Sequence, residues 1–390
     1  MSPAASPSSL AGRTGAAGQR LLAARGGAAA IRVMIVDDSL TVRTIFKRMV
    51  ESDPALVIVG TASSAEGAIA QLAEQPADVV LLDLEMPGMG GLDALPVILA
   101  TPASPQVLVV SSLTVDGAEH TLSALQMGAA DTLLKPRPGG FTEDYRTQLL
   151  GKIRALGARN AGLGGDAETA AGTSGLPERS FARPASTLPR LKRVEAVAIG
   201  ASTGGIHALG LMLGALGPGF DLPILITQHL PPSFIPVFAR QIEHACGRPA
   251  DIAAEGSEIR SGRIMIAPGR GHMLVRRSGD RLVTRISTDP APSGCLPSVD
   301  PMLTSLAAAC EGRVLGVILS GMGRDGAIGA ADLVAAGGTI YAQDATSSAV
   351  WGMPGAVARA GLASLIAPPT ELGETITAQV SAAPPLRRQG

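Results

Sequence analysis

The fold is decided at Ile31–Ala62, IRVMIVDDSLTVRTIFKRMVESDPALVIVGTA. IRVMIVDD is an apolar run of the kind that forms a buried strand, SLTVRTIFKRMVES has the spacing of a helix, and LVIVGTA is a second buried strand. Further along, SAEGAIAQLAEQ is a helix, ADVVLLDLEM and QVLVVSS are strands, AEHTLSALQMGA is a helix and DTLLKP a strand, closed by the helix TEDYRTQLLGKIRALGAR. Apolar strands alternating with helices imply an α/β unit with a mainly parallel sheet wound on both faces. This first domain is expected over residues 31–150.

A chain of 390 residues is too long for one average core. Residues 151–190, rich in Gly, Ala, Ser and Pro, are expected to be a flexible linker. At Val194 the alternation restarts with VEAVAIG, GIHALGLMLGAL, PILITQH and SFIPVFARQIEHAC, and it runs on through RVLGVILSG to TIYAQD. A second doubly wound domain is therefore expected over 191–378, with the antiparallel hairpin HMLVRRSGDRLVTRI added to a parallel core. Residues 1–30 and 379–390 are expected to be disordered ends.

Hydrophobic residues make up 46% of the chain and aromatics only 2%, so the cores must be built from Ala, Val, Leu and Ile. A net charge of −1 argues against a nucleic-acid partner, which would call for a basic footprint. The charge is uneven: residues 31–150 hold 15 Asp/Glu against 7 Lys/Arg. Cys246, Cys295 and Cys310 make no C-x-x-C pair and no metal-ligand spacing, so a reducing cytoplasm is the simplest setting. The N-terminal stretch lacks the apolar centre of a signal peptide, and no apolar run approaches the ~20 residues that span a bilayer. A monomer without direct membrane insertion is expected.

In open parallel sheets ligands bind beyond the carboxyl ends of the strands, so the polar residues there are the informative ones. In the first domain Asp37 and Asp38 end one strand, Asp83 ends another, Ser111 or Ser112 a third, and Lys135, before Pro136, a fourth. Three carboxylates gathered at one edge repel unless a hard cation such as Mg²⁺ shares them. A lysine and a hydroxyl beside them supply what a phosphoryl group on Asp83 would need, a point charge and a donor. An Asp-Asp pair alone reads equally well as a solvated loop; the matching residues at the other strand ends displace that reading.

In the second domain VAIGASTGG, Val197–Gly205, ends a strand at a tight turn. G-x-S-x-G can expose a serine at a strand-to-helix bend, whereas a glycine-rich helix start can hold phosphate; the spacing and lysine of the phosphate loops are lacking here. A nucleophilic Ser202 needs a base and an orienting carboxylate. His229 ends the strand PILITQH, which favours it over His120 in the other domain, His207 on the helix of Ser202 itself, His244 in a polar helix and His272 at the hairpin. A helix-capping or strand-capping histidine is the plainer alternative. Asp325, in SGMGRDG, leads Asp300 and Asp344 only slightly on pattern.

Two resemblances follow from these residues. VDDS, LLDLEMPGMGGLDAL, VVSS and LLKP resemble a response-regulator receiver, which implies Asp83 as phospho-acceptor, Asp37 and Asp38 as Mg²⁺ carboxylates, Ser111 as switch hydroxyl and Lys135 as phosphate sensor. Thr132 stands where many receivers carry an aromatic residue, and MGG replaces the commoner MDG. GASTGG, QHLPPSF, IAPGRGHMLV, PSVDPML, SGMGRDG and AQDATSSAVWGMP resemble the chemotaxis protein-glutamate methylesterase family, and Leu296 replaces the arginine usual before PSVD. That resemblance implies Ser202 as nucleophile, His229 as base, Asp325 as orienting carboxylate, and Thr203 and Met322 at the oxyanion and substrate site. It further implies hydrolysis of methyl esters on chemoreceptor helices without a cofactor, deamidation of certain glutamines, a chemotaxis histidine kinase as phosphodonor, and an unphosphorylated receiver lying over the hydrolase. The competing class is a phosphorylation-controlled binding module, which would release no methanol.

Overall fold

The computed structural model describes residues 30–111, 115–136, 140–160, 194–217 and 219–381. Most of the expected N-terminal extension, linker and tail lies outside the described residues. The first unit runs β1 (Ile31–Val36), α1 (Leu40–Glu51), β2 (Leu56–Ala62), α2 (Ala65–Glu74), β3 (Val79–Asp83), α3 (Gly91–Leu99), β4 (Gln106–Ser111), α4 (Val115–Gln126), β5 (Asp131–Leu134) and α5 (Glu143–Asn160). Its strands pair in parallel in the order β2-β1-β3-β4-β5. Because side chains alternate across a strand, Val33, Ile35, Val79 and Leu81 pack with Phe46, Leu149 and Ile153 on one face. Met34, Val36, Val80 and Leu82 pack with Leu72, Leu95 and Leu122 on the other.

The sequence pattern did not indicate α3. Its N-cap, Gly90, offers no side-chain hydrogen bond and Pro96 lies inside it, so both usual start and continuation signals are missing. Tertiary packing of Ala94, Leu95 and Ile98, all buried, holds it instead. The closing helix expected over TEDYRTQLLGKIRALGAR is present as α5. The helix α5 runs on to Asn160 because Ile153 and Leu156 are buried against the sheet.

The second unit runs β6 (Ala196–Ala201), α6 (Gly205–Gly214), β7 (Ile224–Gln228), α7 (Ile235–Cys246), β8 (Ala250–Ile252), β9 (Glu258–Ile259), β10 (Ile264–Ile266), β11 (His272–Ser278), β12 (Arg281–Ser287), α8 (Val299–Ala309), β13 (Val314–Ile318), α9 (Ala327–Ala335), β14 (Thr339–Gln343), α10 (Met353–Arg359), β15 (Ala363–Ala367) and α11 (Pro369–Ser381). Seven strands pair in parallel in the order β15-β14-β13-β6-β7-β10-β8. The hairpin β11–β12 does not extend this sheet: with β9 it makes a separate three-stranded antiparallel sheet. The chain starts in the middle at β6, goes one way to β7 and the other way to β13. That reversal opens a crevice at the carboxyl ends of β6 and its neighbours, where such folds bind ligands.

Candidate active site

Strand register brings the three separate segments together. Ala201 pairs with Gln228, so Ser202 and His229 leave neighbouring strands side by side. Gly200 pairs with Ile318, and the Ser202 amide donates to the Ser320 carbonyl at 3.0 Å, which places the loop after β13 on the other side. The Ser202 Oγ lies 3.1 Å from His229 Nδ1, and His229 Nε2 lies 2.8 Å from Asp325 Oδ2. A carboxylate only accepts, so in the neutral ring Nε2 carries the proton and the Nδ1 lone pair faces the serine hydroxyl. Asp300 and Asp344, the two sequence alternatives, do not reach His229. The Asp300 Oδ1 accepts from the Gly329 amide, and Asp344 closes a turn through the Thr346 and Ser347 amides.

The turn that presents Ser202 depends on Gly204. Its φ of +75° is left-handed, and an added Cβ would sit 2.6 Å from the Ala349 Cβ and 2.7 Å from the Ser320 Oγ. Gly204→Ala is therefore expected to cost about 2–4 kcal/mol, the sum of left-handed strain and overpacking. Urea unfolding of the second domain would measure it, and a change below about 0.5 kcal/mol would contradict this account of the turn.

Electrostatics differ sharply along the chain of groups. Burial alone would raise the Asp325 carboxyl, but hydrogen bonds from His229, the Ser298 hydroxyl and the Val299 amide hold it well below the usual carboxylate range. Burial works against charge on His229, yet Asp325 and the nearby Cys295 thiol push it up to about 9. Burial, together with the charge of Asp325, pushes Asp300 up to about 6. Met322 is exposed in the loop after β13, while Thr203 is buried beside Ser202. Among the described residues neither the Thr203 nor the Met322 amide N–H has an acceptor.

In the first unit, the Lys135 ammonium lies 2.7 Å from Asp83 Oδ2 and 2.8 Å from Asp37 Oδ2. Burial and the charge of Asp37 raise the Asp83 carboxyl despite that lysine. Lys135 itself, though burial disfavours its charge, is held protonated by the two carboxylates. Ligand atoms of Asp37, Asp38 and Asp83 all lie within 4.8 Å of one another. Three carboxylates against one ammonium leave a negative excess, and the buried Asp37 Oδ2 accepts no aligned hydrogen bond. An all-oxygen set of this kind fits a hard divalent cation. The Ser111 hydroxyl, buried at the end of β4, is 3.4 Å from the Thr132 hydroxyl.

The CheB methylesterase family profile matches residues 197–376, and that of the response regulator receiver domain matches 33–141. Over 356 residues the chain is 42% identical to protein-glutamate methylesterase/protein-glutamine glutaminase 1 of Rhodospirillum rubrum, covering 87% of this chain and 92% of that one. The chain belongs to the protein-glutamate methylesterase/protein-glutamine glutaminase family. A Caulobacter vibrioides methylesterase of the same kind is 43% identical over 352 residues, covering 90% and 99% of the two chains. The solved catalytic domain of the Thermotoga maritima CheB methylesterase is 30% identical, matching 47% of this chain and 98% of that one with a TM-score of 0.46.

Around the site of this methylesterase family member lies a layer that sequence reasoning missed. His272, expected only as the hairpin's start, is buried; its Nδ1 accepts from the Ser298 amide at 2.9 Å and its Nε2–H donates to the Asp289 carbonyl at 2.8 Å. Ser298 in turn donates to Asp325 Oδ1 at 2.6 Å. The Gln228 amide donates to the Ser202 carbonyl, and the Ser320 hydroxyl to the Thr203 carbonyl, which fixes the turn from both sides. His207 meets the receiver: its Nδ1 lies 2.8 Å from the Gln126 carbonyl.

The receiver covers this edge. The Gly204 amide donates to the Ala130 carbonyl at 2.6 Å, and the Thr203 hydroxyl donates to Asp131 Oδ2 at 2.5 Å. Lys152 holds the same Asp131 oxygen from the receiver side. Arg240 on α7 pairs with Glu119 on α4 at 2.9 Å, and Leu125 and Ala129 share a crevice with Ser202 and His229. Among the described residues no helix is long and apolar enough to cross a membrane.

Proposed function

We propose that this chain hydrolyses γ-glutamyl methyl esters on chemoreceptor signalling helices, releasing methanol, and deamidates certain glutamines there, under the control of phosphorylation at Asp83. The observation that carries this reading is the hydrogen-bonded run from Ser202 through His229 to Asp325 at the switch point of the sheet. Ser202 attacks the ester carbonyl carbon while Nδ1 of His229 takes its proton, and Asp325 stabilises the imidazolium through Nε2–H. The oxyanion falls to the Thr203 and Met322 amides, each such donor being worth ~3 kcal/mol. His229 then returns the proton to the departing methoxide, and a water molecule repeats the cycle on the acyl-enzyme. The sequence uses side chains, backbone amides and water only. Methanol release from methylated receptor membranes tests it, and a chain that releases none would be a binding module.

In the receiver, Asp83 accepts the phosphoryl group from a chemotaxis histidine kinase, with Lys135 and Ser111 placed to hydrogen-bond its oxygens. Asp37, Asp38 and Asp83 would hold Mg²⁺, whose charge offsets that of the phosphoryl oxygens. A small phosphodonor is expected to label wild type and leave Asp83→Asn unlabelled. Undiminished labelling of Asp83→Asn would overturn the assignment.

Imidazolium cannot accept the Ser202 proton, so the esterase rate is expected to rise with pH through a midpoint near 9. Asp325 stays ionised throughout and adds no second limb. Cys295→Ser removes one group that raises His229, so the midpoint moves to lower pH. The linked stability runs the other way. A folded value raised above 6.5 gives stability that is complete below pH 6.5 and lost as pH rises through about 9. A pH–rate profile flat from roughly pH 7 to 10 would remove His229 as the base.

A further inference from the structure

We propose that Cys295, His229 and Asp325 form a three-ligand site for a borderline-soft divalent metal, zinc above all, and that the metal shuts the hydrolase by taking its histidine. One ring nitrogen, one sulfur and one carboxylate oxygen from these residues all lie within 4.8 Å of one another. Sulfur, imidazole and carboxylate are the donors zinc prefers, and three protein ligands with an open fourth position is a common zinc arrangement. His229 Nε2 and Asp325 Oδ2 are already 2.8 Å apart, so a small separation admits an ion between them. Cys295 is a free, half-buried thiol beside His229 whose hydrogen bond to the Ser293 carbonyl is a weak one at 3.8 Å. The sulfur can therefore turn toward a metal at little cost. The His229 side chain keeps 17% of its surface exposed, which leaves a path for the ion.

Ligand softness separates this cluster from the receiver's. The Asp37, Asp38 and Asp83 group offers oxygen alone and suits Mg²⁺, whereas the cluster around His229 adds nitrogen and sulfur. On binding, S–Zn and Nε2–Zn bonds form while the thiol proton leaves to solvent and the ring keeps one N–H, on Nδ1, a charged ring also releasing its Nε2 proton, so affinity increases with pH. Asp325 exchanges the His229 N–H for the metal at Oδ2 and keeps the Ser298 and Gly326 donors at Oδ1. With Nε2 on the metal and the N–H on Nδ1, the ring has no lone pair to take the Ser202 proton. This group leaves no local signature, because the three residues come from three segments with no ligand spacing among them.

The test is a Co²⁺ titration of the full chain in excess Mg²⁺, followed by zinc. Wild type and Cys246→Ser are expected to show a thiolate-to-cobalt charge-transfer band that zinc abolishes, and Cys295→Ser and Cys295→Ala to show none. Half-inhibition of methanol release, each protein against its own metal-free rate, is expected to need at least about tenfold more zinc in both Cys295 variants. No band in wild type, or an equal band in Cys295→Ser, would overturn the site. Only the inhibition arm rests on the esterase function: a chain that binds cobalt through Cys295 but releases no methanol keeps the metal site and loses that function.

Discussion

Ser202→Ala is expected to leave the fold intact and to abolish methanol release, with a loss of ~10⁴ to 10⁶ in rate. The fold survives because the backbone of Ser202 does the structural work: its amide bonds the Ser320 carbonyl and its carbonyl accepts from Gln228, and neither needs the hydroxyl. The Oγ bonds His229, a contact worth only about 1 kcal/mol of stability. His229→Gln is expected to be comparably inactive, since it removes the group that carries every proton. Asp325→Asn divides the effects differently. Its rate loss is smaller, because it orients and stabilises the ring, but its stability loss is larger. An asparagine NH₂ would face donors from Ser298, Val299 or Gly326 that now converge on a carboxylate. Initial rates on methylated receptor membranes, alongside urea midpoints, separate the two quantities. Activity of Ser202→Ala above a hundredth of wild type would mean that the serine is wrongly assigned.

The sheet ends were legible in the sequence because strand-terminal polar residues are a local signal. Asp37, Asp83 and Lys135 each follow an apolar run, and so do Ser202 and His229. Asp325 was less legible. It sits seven residues beyond the end of β13, and only the fold of that loop turns it, and not Asp300 or Asp344, toward His229. The supporting layer could not be read at all: His272 reaches Asp325 through Ser298, 26 residues later in the chain, and Cys295 joins the cluster from a segment without regular structure. The helix α3 was hidden by a different cause, a glycine cap and an internal proline that packing overrides. Local chemistry marked the candidate groups, and long-range packing determined what holds them.

The second large effect is expected from parting the two domains. A fragment starting near Leu191 should hydrolyse receptor esters faster than the unphosphorylated full-length chain, because the receiver lies against the turn that presents Ser202. The contact at Thr203 is specific: the hydroxyl of this residue, whose amide is proposed to hold the oxyanion, is bonded to Asp131. Asp131 is the first residue of β5 and precedes Thr132, whose hydroxyl meets Ser111; Val110, beside Ser111, pairs with Asp83 itself. A phosphoryl group on Asp83 adds ~1.5 to 2 negative charges there and competes with Thr132 for the Ser111 hydroxyl. The disturbance therefore enters β5 one residue from the bond to Thr203. Interdomain contacts within one chain resemble transient protein interfaces, so a bias of ~1.4 to 3 kcal/mol, or 10- to 100-fold in rate, is the expected scale. Asp131→Ala in the full-length protein should recover a large part of the fragment's gain without phosphorylation, whereas Asp83→Asn should stay slow in the presence of phosphodonor. Initial methanol release from one batch of methylated membranes decides among them. Equal rates for fragment, Asp131→Ala and unphosphorylated wild type would show that the receiver does not restrain Ser202, and Thr132 would be the first residue to replace in search of the lost signal.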